Sequence, residues 1–181
     1  MNLYWHGGGS VSLESSDSYA FVDPASAEKE PKITEGVVLL AHNSSPKGLP
    51  KGIFVIDTAG EYNVKDFFIT GLAGFSEGVS YLIEADDIKV CYLVKVKSEL
   101  TDEQLASISD VDVLIISVGD SRAENEIASK VVNQIEPRIV IPVDFKEKPE
   151  EKYIVQVVTI TGRHFQKNYR EFSENELDKA E

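Results

Sequence analysis

The sequence predicts an α/β fold, in which helices pack against sheets of β-strands. Between residues 79 and 145, apolar runs of the strand type alternate with segments of helical periodicity. Strand, helix, strand, helix, strand is the order of an α/β layer. Functional groups in such sheets usually lie just past the carboxyl ends of the strands. Here those ends carry Lys95, Gly119-Asp120 and Asp144, which are therefore the first candidates for functional residues.

Two capping-box patterns predict where the helices begin. Thr101 is followed three residues later by Gln104, and Ser121 is followed three residues later by Glu124. In each pair the first side chain bonds the backbone N–H of the second residue, and the second side chain bonds back to the cap. The predicted helices are Thr101–Ile108 and Ser121–Ile135, and the second of them has apolar residues on one face.

The remaining apolar runs are predicted to form strands. The tight-turn residues Ala85–Asp87 lie between two such runs and predict a hairpin. Glycine, proline and polar residues separate most of the others. In chain order the predicted strands are Asn2–Trp5, Ser10–Glu14, Tyr19–Val22, Val37–Ala41, Ile53–Ile56, Phe67–Ile69, Tyr81–Glu84, Ile88–Val94, Val111–Ser117, Ile139–Val143 and Tyr153–Ile160.

The length of the chain fits one domain, because 181 residues suffice for one sizeable hydrophobic core. We expect that domain to span residues 1–160. Residues 161–181 are expected to form a C-terminal tail or a short helix, since Ser173 and Glu176 have the capping-box spacing.

Composition argues against several classes of partner and location. The net charge is −13, whereas nucleic acids and anionic membranes are bound through clustered Lys and Arg. The sequence contains no run of about 18 apolar residues that would predict a membrane span. The N-terminus lacks the basic and apolar regions of a signal peptide. The single cysteine, Cys91, lies in a strand pattern, which is typical of a buried residue in a reducing compartment. We therefore expect a cytoplasmic protein.

Segments along most of the chain also form a family pattern. They are Trp5–Glu14, Phe21–Pro24, Val37–His42, Phe54–Asp57 with Gly60–Tyr62, Tyr81–Glu84 with Ile88–Leu93, Leu100–Gln104, Asp110–Leu114, Val118-Gly119 and Gln134–Pro142. Over about residues 2–145 this pattern resembles the metallo-β-lactamase superfamily, in the branch of L-ascorbate-6-phosphate lactonase. The resemblance implies a four-layer αββα sandwich, in which two mixed sheets pack face to face with helices outside.

The same resemblance implies a metal site at the strand ends. The family binds one or two metal ions, usually zinc, through a Thr-His-x-His-x-Asp-His loop and later ligands. Imidazole and carboxylate suit zinc, and an open position holds an activated water. The corresponding loop here is 41–47 and reads Ala-His-Asn-Ser-Ser-Pro-Lys, so that only His42 remains of its ligands.

Later ligand positions are changed as well. Lys95 stands where the family has a bridging aspartate, and Asp144 stands where it has a closing histidine. The family's early Gly-His-Ser is replaced by Gly7-Gly8-Gly9. The chain has three histidines in all, which are too few for a standard binuclear site. Because the two charge changes are complementary, the Lys95 ammonium is expected either to take the place of the lost ion beside Asp144 or to point to solvent.

The surviving polar residues each allow a structural and a functional interpretation. His42 is either a residual ligand or a loop residue kept for packing or a hydrogen bond. Asp23 either anchors the site loops, as the family's Asp-Pro does, or is only a turn residue before proline. Glu61 is interpreted as part of a turn between strands rather than as a catalytic group. Asp57 is a further carboxylate at a strand end.

Two functions therefore compete. The first is a non-catalytic binding or assembly subunit without a cofactor, whose vestigial site consists of His42, Lys95, Asp144, Asp23 and Asp57. The second is a metal-dependent hydrolase, lactonase-like or phosphoesterase-like, with a remodelled mononuclear zinc site that uses His42 and Asp144, with Asp23 or Asp57 as a further candidate ligand. We favour the first, because a lysine at the bridging position opposes a metal cation. The resemblance further implies a homo-oligomer and allows for another protein as a partner.

Overall fold

The structure is a computed structural model. It describes residues 1–16, 18–27, 31–42, 48–118 and 121–144, together with the backbone of two strands at 156–161 and 164–169. Two β-sheets contain all the strands among these residues. In chain order the strands are β1 (Asn2–Trp5), β2 (Val11–Ser15), β3 (Ser18–Val22), β4 (Val37–Leu39), β5 (Phe54–Ile56), β6 (Gly60–Val64), β7 (Phe67–Leu72), β8 (Ser80–Ala85), β9 (Ile88–Leu93), β10 (Val113–Ser117), β11 (Ile139–Val143), β12 (Gln156–Thr161) and β13 (His164–Tyr169).

Both sheets are mixed. The first sheet has the order β13-β12-β1-β2-β3-β4-β5, and the second has the order β11-β10-β9-β8-β7-β6. In the first sheet β3, β4 and β5 run parallel, and in the second β9, β10 and β11 do so. The other pairs are antiparallel, including the predicted hairpin of β8 and β9. Its turn residues Asp86 and Asp87 both have positive φ, as a two-residue turn of type I′ requires.

The two sheets pack face to face around the main hydrophobic core. Inward-facing residues of both sheets form one buried cluster, for example Leu13 and Leu39 from the first sheet and Ile83 and Ile115 from the second. Alternation along each strand produces this arrangement, because successive side chains point to opposite faces. A smaller cluster around Phe21 and three further residues covers the outer face of the first sheet.

The helices cover the outer face of the second sheet. They are α1 (Asp102–Ser107) and α2 (Arg122–Ile135), and both begin with the predicted capping box. Val131 of α2 is fully buried in a cluster with Cys91, Leu114 and Ile116, which face outward from the sheet. The predicted sandwich and the predicted position of both helices are confirmed. Neither helix has the length and apolar character needed to cross a membrane.

Two segments differ from the sequence-based predictions. The prediction of a turn at Gly60–Tyr62 is wrong, because these residues belong to β6, an edge strand paired with β7. Its residues are only partly buried or exposed, so the strand lacks the apolar run that identified the others. Beyond residue 160, where a tail or helix was expected, the backbone of β13 extends the first sheet. The capping pattern at Ser173 lies outside the described residues.

Candidate functional site

The parallel strands of both sheets bring their carboxyl ends to a common rim. Asp23 follows β3 and His42 lies just beyond β4, whereas Asp57 follows β5. From the second sheet, Lys95 lies just beyond β9 and Asp144 follows β11. Such edges are where α/β sheets place their ligands. Gly119-Asp120 and the loop at 43–47 lie outside the described residues.

Asp23 holds the loop that follows β4. Its side chain is 2% exposed, and its Oδ1 accepts hydrogen bonds from the backbone N–H groups of Ala41 (2.7 Å) and His42 (3.2 Å). Its Oδ2 lies 2.5 Å from Nδ1 of His42. Both oxygens of a buried carboxylate are therefore satisfied by the loop, as a buried charge requires. Because Nδ1 is engaged with Asp23, only Nε2 of His42 is left to meet a ligand.

Three of the candidate residues have left-handed backbone conformations. The φ angles are 44° at Asp23, 53° at Lys95 and 58° at Asp144. This conformation costs about 1–2 kcal/mol for a residue with a side chain, although Asp tolerates it better than most. Turn residues elsewhere, such as Asp86 and Asp87, adopt the same conformation, so that it marks sharp turns at the strand ends and does not by itself identify a site.

The glycine loop between β1 and β2 packs directly against Asp144. The backbone N–H of Asp144 donates to the carbonyl of Gly8 (3.2 Å). A Cβ on Gly9 would lie 3.1 Å from both carboxylate oxygens of Asp144, and a Cβ on Gly8, where φ is 53°, would lie 2.3 Å from the carbonyl oxygen of Ser26. Glycine is required at Gly8 by both its φ and this close approach.

Two buried tyrosines, which the sequence analysis did not single out, join the sheets beneath the rim. Tyr81 and Tyr92 lie opposite each other on β8 and β9. The Tyr81 hydroxyl lies 2.8 Å from the carbonyl oxygen of Leu40 and 2.9 Å from that of Ile56, and the Tyr92 hydroxyl donates to the carbonyl of Gly9 (2.7 Å). Burial, together with the charges of Asp23 and Asp144, raises the pKa of Tyr92 well above its usual value. The sequence could have indicated both residues, because a tyrosine inside a buried strand needs a hydrogen-bond partner for its hydroxyl.

Lys95 and Asp144 line one cleft of about 460 Å³, beside the start of α2. Burial raises the pKa of the Asp144 carboxyl, whereas the charges of His42 and Lys95 lower it. Lys95 is therefore near enough to act on Asp144 electrostatically. The two nevertheless form no ion pair within 4.0 Å, and among the described residues none is found for Lys95. The backbone N–H of Lys95 donates to the Ser117 hydroxyl (2.6 Å).

The other candidates lie away from this cleft. Asp57 is exposed just past β5, and Glu61 is exposed on the edge strand β6. The thiol of Cys91 is fully buried on the helix side of the second sheet, where burial raises its pKa to about 12. An un-ionised, inaccessible thiol is a packing group, not a nucleophile.

The comparison with known families decides the identity of the fold. A sequence profile of the β-lactamase superfamily domain matches residues 2–144. The chain belongs to the β-lactamase superfamily. Among curated proteins, none matches this chain.

Several solved structures share the fold. A protein from Thermotoga maritima, assigned as a zinc-dependent hydrolase of the metallo-β-lactamase superfamily, is 28% identical with a TM-score of 0.71, over 82% of this chain and 77% of its own. The metallo hydrolase Igni18 of Ignicoccus hospitalis is 13% identical with a TM-score of 0.60, over 82% and 84% of the two chains. The metallo-β-lactamase fold protein YhfI of Bacillus subtilis is 12% identical with a TM-score of 0.53, over 81% and 88%. The last two similarities show the fold alone.

The described part of the rim brings together one imidazole, carboxylates and a lysine. Within the described residues, no group of three or more His, Cys, Asp or Glu side chains is placed to hold a metal ion. The carboxylate of Asp23 is occupied by its bonds to the loop, and Lys95 brings a positive charge to the same rim. The loop at 43–47, where the resemblance implies further ligands, contains no His, Cys, Asp or Glu.

Proposed function

We propose that this chain is a member of the superfamily, from the branch resembling L-ascorbate-6-phosphate lactonase, that has lost its metal site. It acts as a non-catalytic binding or assembly subunit. The observation that carries the proposal is the residue set at the rim. Lys95 and Asp144 stand where the resemblance implies a carboxylate and an imidazole, and both line the same cleft. A lysine ammonium repels a metal cation at the distances found within one cleft.

The intact scaffold beneath the rim supports the same proposal. Asp23 fixes the loop of His42, and Tyr81 and Tyr92 join the two sheets. The groups that hold the rim loops are therefore present and bonded, whereas the resemblance finds other residues at most positions of the metal ligands. This pattern is expected when a fold is maintained for binding or assembly.

Elemental analysis of the purified protein tests the loss of the metal. We expect well under one equivalent of zinc, manganese or iron, measured by mass spectrometry after purification without chelators. His42→Ala should leave this value unchanged. His6→Ala is the matched control, because His6 bonds the Ser12 side chain and not the rim. Stoichiometric metal that disappears in His42→Ala but persists in His6→Ala would overturn the proposal.

One observation favours the alternative of a mononuclear hydrolase. The Asp144 carboxylate accepts no hydrogen bond from the described residues, and the charge of His42 lowers its pKa. These two residues could supply two ligands. A catalytic zinc usually needs a third protein ligand, and the remaining candidates are Asp23, which is occupied, and Asp57, which is exposed. Zinc-stimulated cleavage of a lactone or phosphoester that is lost in Asp144→Asn would favour this alternative.

The assembly role implies self-association. A closed, two-fold symmetric oligomer is the usual form for identical subunits. We expect sedimentation velocity to show an oligomer at about tens of micromolar protein, a concentration above the Kd of most weak interfaces. A monomer under these conditions would leave binding of another molecule as the retained role.

A further inference from the structure

The cleft at the rim contains charges of both signs and an apolar wall. It is lined by Lys95 and Lys97, by Glu77, Glu124 and Asp144, and by the apolar side chains of the segment after β9 and of the first turns of α2. Counting every one of these side chains as ionised, the carboxylates exceed the ammonium groups by one. An excess of positive charge, which would favour a simple anion, is therefore absent from the described lining.

Most of these charges already have partners. Lys97 is paired with Glu77 through Nζ and Oε1. Glu124 accepts hydrogen bonds from the backbone N–H and the hydroxyl of Ser121 in the capping box. Lys95 and Asp144 remain, and neither side chain forms an ion pair or hydrogen bond with the described residues. Within the described part of the chain, the cleft therefore presents one ammonium and one carboxylate without a partner.

We propose that this cleft binds a small zwitterion, whose carboxylate meets Lys95 and whose ammonium meets Asp144. Its aliphatic part lies against Val96, Ala123 and Ile127, which line the cleft beside the two charges. The inference rests on the proposed function, because a rim that holds zinc would use Asp144 as a ligand. It names the class of molecule that such a binding subunit takes.

Charge complementarity explains why a zwitterion is preferred over an ion of one sign. A pure anion would face Asp144, and a pure cation would face Lys95, so that each meets one repulsive contact. Asp144 is half-buried and Lys95 is exposed, which places the ammonium of the ligand deeper than its carboxylate. A molecule that carries both charges satisfies both residues at once.

Calorimetric titration of the full chain tests the proposal with defined probes. L-Leucine, β-alanine, 4-aminobutyrate and 6-aminohexanoate, each at up to about 10 mM, cover a range of charge separations and exceed the Kd expected for two charge-assisted contacts. N-Acetyl-L-leucine and L-leucinamide each carry one of the two charges. We expect at least one zwitterion to bind, and the single-charge analogues to bind at least about tenfold more weakly, as the loss of one such contact implies.

Three variants assign the binding to the two residues. Lys95→Met and Asp144→Asn should each weaken the best zwitterion by at least about tenfold. Lys97→Met is the matched control, because Lys97 lines the same cleft but is already paired with Glu77. The inference would be overturned if N-acetyl-L-leucine bound as tightly as the zwitterions, or if Lys97→Met weakened binding as much as Lys95→Met and Asp144→Asn do. Absence of binding by every zwitterion would overturn it as well.

Metal analysis of the same sample separates this inference from the proposed function. Metal-free protein that binds no zwitterion contradicts the inference alone. Stoichiometric metal that is lost in Asp144→Asn contradicts the proposed function and the inference together.

Discussion

Removing the carboxylate of Asp23 should destabilise the fold more than any other single change at the rim. Asp23→Ala deletes an acceptor that is 2% exposed and that binds three N–H or imidazole groups of the loop after β4. Breaking a buried pair by removing one partner costs about 3–5 kcal/mol. Since His42 is 27% exposed and can recover some hydration, we expect the lower half of that range, about 3–4 kcal/mol.

Asp23→Asn should cost less than Asp23→Ala. The amide keeps one oxygen, which can still accept from the backbone N–H groups of Ala41 and His42. Only the contact to the imidazole is lost, and its hydrogen bond to a charged group contributes about 1.5–3 kcal/mol. Asparagine also tolerates the left-handed conformation found at this position.

Urea unfolding followed by circular dichroism measures these differences as shifts of the midpoint at constant m-value. Asp57→Asn is the matched control, since Asp57 is an exposed aspartate at the end of a strand in the same sheet and should change stability by less than about 0.5 kcal/mol. A double-mutant cycle with His42→Ala isolates the imidazole contact. Equal stabilities of Asp23→Ala and Asp57→Asn would refute the argument that Asp23 anchors the loop.

Three further predictions concern the same rim. Burial raises the pKa of Asp144 above its usual 3.8, so the protonated carboxyl stabilises the fold fully below that pH, and this stabilisation is lost as pH rises through the raised pKa. The stability of Asp144→Asn relative to the wild type should therefore increase between about pH 4 and pH 7. The same stability difference at about pH 4 and pH 7 would contradict this prediction. Gly8→Ala should lower the unfolding free energy in urea by at least about 1 kcal/mol more than Gly48→Ala. Both glycines have positive φ, but only the Cβ added at Gly8 would clash, with the carbonyl oxygen of Ser26. Equal losses in the two variants would exclude this clash. Tyr81→Phe should lower the unfolding free energy by about 1–3 kcal/mol, because it removes a buried hydrogen bond between the sheets. Tyr62→Phe should change the unfolding free energy little, because the hydroxyl of Tyr62 forms its hydrogen bond at the exposed surface. Similar losses in the two variants would show that the inter-sheet hydrogen bond contributes nothing.

Local signals explain why most of the fold could be predicted. The capping boxes at Thr101 and Ser121 each depend on residues three apart, and the structure places a helix at both. The β8–β9 hairpin depends on Asp86 and Asp87, which adopt the predicted turn. Strand β6 was missed because Glu61 and its neighbours lie at a sheet edge, where pairing with β7 and not apolar burial defines the strand.

The candidate site was predictable only in part. The pattern of strand ends singled out Lys95 and Asp144, which line one cleft in the structure, whereas Asp23 and His42 were found only through the family resemblance. The bond between Asp23 and His42 joins residues that are far apart in the chain, so that no local pattern reports it. Likewise, sequence could not decide whether Lys95 pairs with Asp144, because the answer depends on side-chain reach across the cleft.

The two sheets end side by side in the short edge strands β5 and β6, and this arrangement sets the order in which the backbone opens. Neither strand has a second neighbour among the described strands, and each buries little of its surface. Amide hydrogens in β5 and β6 should therefore exchange with solvent through local opening, well before those of β8 and β9 at the centre of the second sheet. The Tyr81 hydroxyl donates a hydrogen bond to the carbonyl of Ile56 on β5, so each opening of β5 also breaks one of the hydrogen bonds that join the sheets beneath the rim. The loosening of the rim should thus depend on the opening of the edge strand β5 rather than on the global stability of the domain.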